Sequence, residues 1–211
     1  GAVMGSEANG VTVERRFSGK VLVTGAAGPL GANMVHRLLD EGMDVRAMVR
    51  PGSNNAAMEG LPVEVVTGDL RDAAFTKMAT AGCETVYHCA ANVSTIEASP
   101  QLERDIYECN VLGTRNLLRA SMDAGVSRVV VTGSFSAVGY DLDDRSKPGS
   151  EDMPHYPFEE VLPYARTKVL VEHESLKAAV EGLDVVIATS CAIIGPHDYK
   201  PSRMGKTLID F

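Results

Sequence analysis

Short apolar runs rich in β-branched residues alternate along the chain with longer stretches whose apolar residues recur every three to four positions. The first pattern predicts strands and the second helices. Lys20–Thr24, with the sequence KVLVT, reads as the first strand. A helix is expected from Pro29 to about Glu41, because proline suits a first helical position and Gly42 stops the helix. Further strands are expected at residues 44–49, 63–67, 85–88, 128–132 and 184–189. A long helix is expected from Pro100, capped by Ser99, to about Ala124, and another over residues 164–179. Nearly continuous apolar strands separated by helices imply a parallel sheet buried on both faces, an α/β doubly wound fold. Residues 141–157 are polar and rich in proline, glycine and acids, which predicts a mobile loop.

The chain has 211 residues, 45% hydrophobic and 23% charged, enough apolar material for one sizeable core. Its net charge of −8 is spread without long like-charge runs. Nucleic acid is therefore not an expected partner, since phosphate binding needs a basic stripe. No apolar run approaches the roughly 20 residues that span a bilayer. Residues 1–10 lack the apolar core of a signal peptide, so a cytoplasmic location is expected. Residues 1–17 read as a disordered tail or expression remnant, leaving one domain over residues 18–211. Cys83, Cys89, Cys109 and Cys191 form no CxxC pair, and no histidine cluster has metal-ligand spacing. Reduced, mostly buried thiols and no metal site are expected.

The first strand runs through Thr24-Gly25-Ala26-Ala27-Gly28-Pro29-Leu30-Gly31 into the first helix. Glycines in such a turn permit the bend, let a pyrophosphate approach the backbone and bring helix against strand. The helix N-terminus adds N–H groups and partial positive charge. Gly25, Ala27, Gly28, Pro29 and Leu30 are therefore candidate cofactor contacts. An acid ending the second strand binds the ribose hydroxyls of NAD, and an arginine there accommodates the 2′-phosphate of NADP. The strand ends Met48-Val49-Arg50, so NADP is expected, with NAD the alternative. Tyr164 and Lys168 lie four residues apart, on one helix face. A phenol of pKa near 10 is a poor proton carrier at neutral pH, and a nearby ammonium brings it down. Tyr164 can then give a proton to a carbonyl oxygen as hydride arrives, or take one in reverse.

Taken in chain order, five stretches resemble motifs of the extended short-chain dehydrogenase/reductases. They are the GxxGxxG turn, Gly68-Asp69-Leu70, His88-Cys89-Ala90-Ala91, Asn110-Val111-Leu112-Gly113-Thr114-Arg115-Asn116, and Tyr164-Ala165-Arg166-Thr167-Lys168. The resemblance runs from about Gly19 to Phe211. It implies a Rossmann fold, adenine contacts at Asp69 and Leu70, and a turn at Ala90 and Ala91 beside the cofactor. It also implies that Lys168, with Tyr164, meets the nicotinamide ribose. Thr132-Gly133-Ser134-Phe135-Ser136-Ala137-Val138-Gly139 is similar to the family's TSSxxxxG stretch. That likeness places Ser134 where the substrate oxygen is held, with Gly133 in place of the first serine and Ser136 as a fallback. Asn110 falls on an asparagine that supports the backbone and relays protons, or is simply a helix-packing amide.

Within the superfamily the chain most resembles dihydroflavonol-reductase-like proteins and the hopanoid-associated sugar epimerase group. Val45-Arg46-Ala47-Met48-Val49-Arg50-Pro51 and Gly195-Pro196-His197-Asp198-Tyr199-Lys200-Pro201 carry that likeness. Thr189-Ser190-Cys191 stands where the family often has Asn-Pro-Ser. The resemblance implies an NADP-dependent reductase or dehydrogenase acting on a ketone or secondary alcohol by a Ser-Tyr-Lys mechanism. A nucleotide-sugar epimerase or dehydratase that recycles bound NAD(P), and a catalytically silent nucleotide-binding module, stay open. Extended members continue for on the order of another hundred residues as a smaller substrate domain, which is expected to be largely absent here. A homodimer is expected through a bundle of the helices at 100–124 and 164–179, using Leu102, Ile106, Leu117, Leu118 and Met122 on the first and Val169, Leu170, Val171 and Leu176 on the second, unless these stripes simply pack on the sheet.

Overall fold

A computed structural model describes residues 18–93, 99–144, 146–153, 162–199 and 202–210. Six strands, β1 (Lys20–Thr24), β2 (Val45–Val49), β3 (Glu64–Thr67), β4 (Cys83–His88), β5 (Arg128–Thr132) and β6 (Val185–Ala188), form one parallel sheet. Their order is β3-β2-β1-β4-β5-β6, the doubly wound arrangement expected from the alternation of strands and helices. Alternate residues of β1 point to opposite faces: Val21 and Val23 enter one core, Leu22 the other. The helix α1 (Pro29–Asp40) covers the first face with Val35 and Leu38. On the second face lie α2 (Ala73–Thr80), α4 (Gly113–Asp123) and α5 (Pro163–Val180), which supply Ala79, Leu117, Leu118 and Val171.

Several expectations need correction. Burial on both faces holds for the central strands only. The outer strands β3 and β6 leave Val65 45% and Val186 39% exposed, because each has a neighbouring strand on one side alone. The long helix after β4 is not continuous. It runs as α3 (Pro100–Tyr107), a π-helical turn at Glu108–Leu112, and then α4. Helix α2 was not expected. Asp72 caps it, accepting from the N–H groups of Ala74 at 2.9 Å and Phe75 at 3.1 Å. A short α6 (Arg203–Ile209), capped by Ser202, was also unforeseen. The polar segment after β5 closes on itself: Gly139 and Ser150 form an isolated antiparallel bridge, and Asp141 holds Lys147 at 2.7 Å. Residues 154–157 of that expected loop lie outside the described residues.

The thiols are less buried than expected. Only Cys83 is fully enclosed, Cys89 and Cys109 are partly so, and Cys191, beyond the outer strand β6, is exposed. Of the apolar residues expected at a dimer bundle, Ile106, Leu117, Leu118, Val169 and Val171 are buried and Leu102, Met122 and Leu170 half-buried. On α5, Leu176 and Val180 remain outward-facing. No helix among the described residues is long and apolar enough to cross a membrane.

Candidate active site

The strand order reverses between β1 and β4, and such a switch point opens a crevice at the carboxyl ends of the strands. The glycine turn lies there. Gly25 has φ +66°, and a Cβ on it would come 2.7 Å from the backbone N and Cα of Ala90. A Cβ on Gly31 would collide with the Gly25 carbonyl, so the start of α1 needs glycine to sit against the turn. At Gly28 the demand is different. A Cβ there would meet only the Gly25 oxygen, at 3.4 Å, so the protein itself barely requires glycine. Gly28 is also the N-cap of α1 and provides no side-chain cap, so the first-turn N–H groups have no side-chain partner. The space and the bare donors fit an anionic ligand.

Arg50, just past β2, is exposed and forms no salt bridge among the described residues. Past β3, Asp69 is gripped by Arg71, whose Nε lies 3.1 Å from both carboxylate oxygens and whose Nη2 lies 2.7 Å from one. That contact, with weaker help from Arg50, holds Asp69 below the usual carboxylate range although burial opposes it. Arg71 also reaches Asp105 at 3.5 Å and Glu108 at 3.9 Å, so three carboxylates surround it.

On the other side of the crevice, Ser134 is buried at the end of β5, its Oγ 2.8 Å from that of Ser136. Burial pushes the Tyr164 phenol up, and the nearby Ser134 hydroxyl draws it part of the way back. Lys168 is 5% exposed and donates from Nζ to the Thr132 carbonyl at 2.7 Å. Burial pushes it down to about 8, against the opposing pull of Glu172. The expectation that Lys168 lowers the Tyr164 phenol is therefore corrected. Its ammonium is turned toward the Thr132 carbonyl, and burial decides the direction for the phenol.

Asn110 lies in the π-turn and is 2% exposed. Its Oδ1 accepts from the Asn92 N–H at 2.7 Å, and its Nδ2 donates to the Asn92 carbonyl and to Thr167 Oγ1, both at 3.0 Å. Thr167 in turn donates to the Tyr164 carbonyl at 2.7 Å. Both amide protons of Asn110 are thus committed, tying the segment after β4 to the helix that carries Tyr164. Gly133 departs from the serine expected there for a steric reason. A Cβ on it would come 2.9 Å from both Ile187 and Thr189, the latter itself a departure from the family pattern. A cavity of about 260 Å³ is lined from both halves of the crevice, by Leu30, Cys89, Thr132, Thr189 and Ser190 among others.

The sequence profile of the NAD-dependent epimerase/dehydratase family matches residues 21–211. The chain belongs to that family. Sterol demethylase protein B of Methylococcus capsulatus is 46% identical over 190 residues, covering 90% of this chain and 56% of that protein. A 3β-hydroxysteroid dehydrogenase/Δ5→4-isomerase of Mycobacterium tuberculosis is 38% identical over 180 residues, covering 83% of this chain and 46% of the relative. Among solved structures, the dTDP-glucose 4,6-dehydratase DesIV of Streptomyces venezuelae, with NAD and TYD bound, is 27% identical. It superposes with a TM-score of 0.74 over 90% of this chain and 62% of its own. The chain spans about half the length of the curated relatives it matches.

The fold ties Lys168 to the Thr132 carbonyl at the end of β5, just before Ser134, and links Asn110 through Thr167 to the helix that carries Tyr164. The glycine turn abuts Ala90, Arg50 stands exposed past β2, and Leu70 is buried in the core beside Asp69. The motifs do not reveal Arg71, Asn92 or Thr167, whose partners lie up to 57 residues away along the chain. Lys168 has a measurable cost. Its pKa falls from 10.5 unfolded to about 8 folded, so the folded chain binds fewer protons between those values. The penalty is full below about pH 8 and fades as pH rises toward 10.5. Lys168→Met is expected to raise stability at pH 7 by on the order of 1–3 kcal/mol, with the gain shrinking in alkaline buffer. Thermal melts across pH check this; a lower melting temperature at pH 7 contradicts it.

Proposed function

We propose that this chain is the cofactor-binding and catalytic part of an NADP-dependent oxidoreductase. Its substrate pair is a ketone and the corresponding secondary alcohol on a largely apolar, sterol-like skeleton. The observation that carries the reading is buried Ser134 just past β5, near enough to Tyr164 to draw its phenol down, with buried Lys168 one helical turn on and bonded to the Thr132 carbonyl. The residues fit a dinucleotide. Gly25, Ala27, Gly28, Pro29 and Leu30 would hold its pyrophosphate, Arg50 the 2′-phosphate, and Asp69 with Leu70 the adenine. Ala90 and Ala91 would flank it, and Tyr164 with Lys168 would take the nicotinamide ribose. When bound, the nicotinamide supplies or accepts the hydride. Tyr164, kept protonated by burial, donates its phenolic proton to the ketone oxygen. Ser134 donates a hydrogen bond to the same oxygen and polarises the carbonyl.

The substrate class rests on exposed apolar residues next to these in the chain. Val93, Phe135 and Leu162 are 63%, 62% and 57% exposed, and adjoin Asn92, Ser134 and Pro163 respectively. Such a rim suits an apolar ring system, and a nucleotide diphosphate calls for cations instead. The names of the sterol and steroid relatives point the same way. Incubation with NADPH and a panel of oxosteroids and simpler ketones tests the reading. Net loss of NADPH matched by alcohol is expected. A sugar nucleotide isomerised with no net cofactor change overturns it in favour of an epimerase.

A further inference from the structure

We propose that His88 is a positioning residue, a neutral imidazole protonated on Nε2 that fixes the backbone after β4 against both the glycine turn and Asn110. Four hydrogen bonds determine where each proton lies. Thr114 Oγ1 lies 2.6 Å from the Asn110 carbonyl, which can only accept, so the Thr114 hydroxyl proton is spent there. The contact of 2.7 Å between Thr114 Oγ1 and His88 Nε2 must then be donated by the ring, so Nε2 carries a proton. At the other end, the Ala90 N–H donates to Thr24 Oγ1 at 3.2 Å, and Thr24 Oγ1 lies 2.7 Å from His88 Nδ1. Were Nδ1 protonated as well, it would donate to Thr24 and leave that hydroxyl proton without a partner. The surroundings forbid this. Thr24 is 0% exposed, Thr114 1% and His88 4%. An unpaired proton and an uncompensated buried cation both carry a penalty there. Burial and the charge of Lys168 push the ring down to about 3, which agrees with the geometric assignment. The chain of donors therefore runs one way: Ala90 N–H to Thr24, Thr24 to His88, His88 to Thr114, and Thr114 to the Asn110 carbonyl.

Both ends of that chain meet candidate site residues. The Ala90 backbone abuts Gly25 so closely that a Cβ on Gly25 would sit 2.7 Å from it. Any drift of Ala90 thus disturbs the turn expected to hold the pyrophosphate. Asn110 clamps Asn92 and Thr167, and Thr167 lies between Tyr164 and Lys168 on α5. His88 touches neither substrate nor reacting atoms and acts through these neighbours. Its effect on dinucleotide affinity rests on the cofactor reading above, whereas its tautomer does not.

The whole chain, labelled with [15N]histidine, tests the assignment, and His88→Gln identifies the ring signal among the five histidines. The His88 ring is expected to show a proton on Nε2 alone, unchanged between pH 5 and pH 8. A ring protonated on Nδ1, or titrating in that range, overturns the proposal. Fluorescence titration with NADPH tests the positioning, on variants shown by circular dichroism to be folded. Thr114→Val, nearly isosteric, and His88→Leu each lose one or more buried hydrogen bonds and are expected to weaken NADPH about tenfold. Thr114→Ser keeps the acceptor and is expected to stay within about threefold. Equal affinity for Thr114→Val and Thr114→Ser overturns the positioning role even if His88→Leu does not fold. If the unaltered chain binds neither NADPH nor NADH, the cofactor reading fails, and the ring tautomer still decides the assignment.

Discussion

Replacing Tyr164 with phenylalanine is expected to lower turnover of a ketone substrate by about 10²–10⁴-fold or more, with NADPH affinity held within a few-fold. The change removes one oxygen and keeps the ring, so the half-buried packing of α5 against the sheet is preserved. What is lost is the proton donor and its neighbourhood with the Ser134 hydroxyl, which draws the phenol down. Ser134 retains Ser136 as a partner at 2.8 Å, so the loop after β5 has no reason to collapse. Because burial raises the phenol, ketone reduction should be flat through neutral pH and fall only in alkaline buffer. Steady-state NADPH consumption and fluorescence titration separate the two effects. Equal turnover by the variant and the unaltered chain would remove Tyr164 from the mechanism.

Arg50→Asp is expected to reverse the cofactor preference from NADPH to NADH. Arg50 stands exposed past β2 with no salt bridge among the described residues, so its charge is available to a 2′-phosphate. Arg71 is no substitute, because Asp69, Asp105 and Glu108 already surround it. Losing a charge-assisted contact costs roughly 1.5–3 kcal/mol, or about ten- to a hundredfold in NADPH affinity. The new carboxylate adds an acceptor for ribose hydroxyls and repels phosphate. Calorimetric titrations of both chains with both dinucleotides check the reversal. If the unaltered chain binds NADH as tightly as NADPH, the NADP assignment falls and the fold stands.

The central sheet was legible because runs such as KVLVT in β1, enclosed on both faces beyond Lys20, and RVVVT in β5, buried on one face and half-buried on the other, carry the β-branched residues of an inner parallel strand. The same kind of run in β6 (VVIA) carries no mark of its edge position, which only the strand order reveals. Helix α2 carries little signal in the sequence because AAFTKMAT is short and mixes small with β-branched residues. Its capping aspartate, Asp72, was the available signal. The π-turn was illegible for a different reason. The residues of Glu108–Leu112 look helical, and nothing in their spacing announces the clamp that Asn110 forms with Asn92 and Thr167. At the site, the residue types were readable from motifs. The direction of the Lys168 ammonium, the grip of Arg71 on Asp69 and the Thr24–His88–Thr114 bridge were not. Each depends on contacts that exist only after folding. Gly133 shows the same limit: it reads as a lost serine until Thr189 is seen occupying the space.

The most direct test of hydride transfer by this chain uses NADPH deuterated at the transferred C4 position, with an oxosteroid from the panel above. Mass spectrometry and NMR of the product are expected to find one deuterium on the carbinol carbon, with the hydroxyl proton drawn from solvent. A product that carries no deuterium from the cofactor, or an isomerised substrate with the label still on the dinucleotide, would contradict the account.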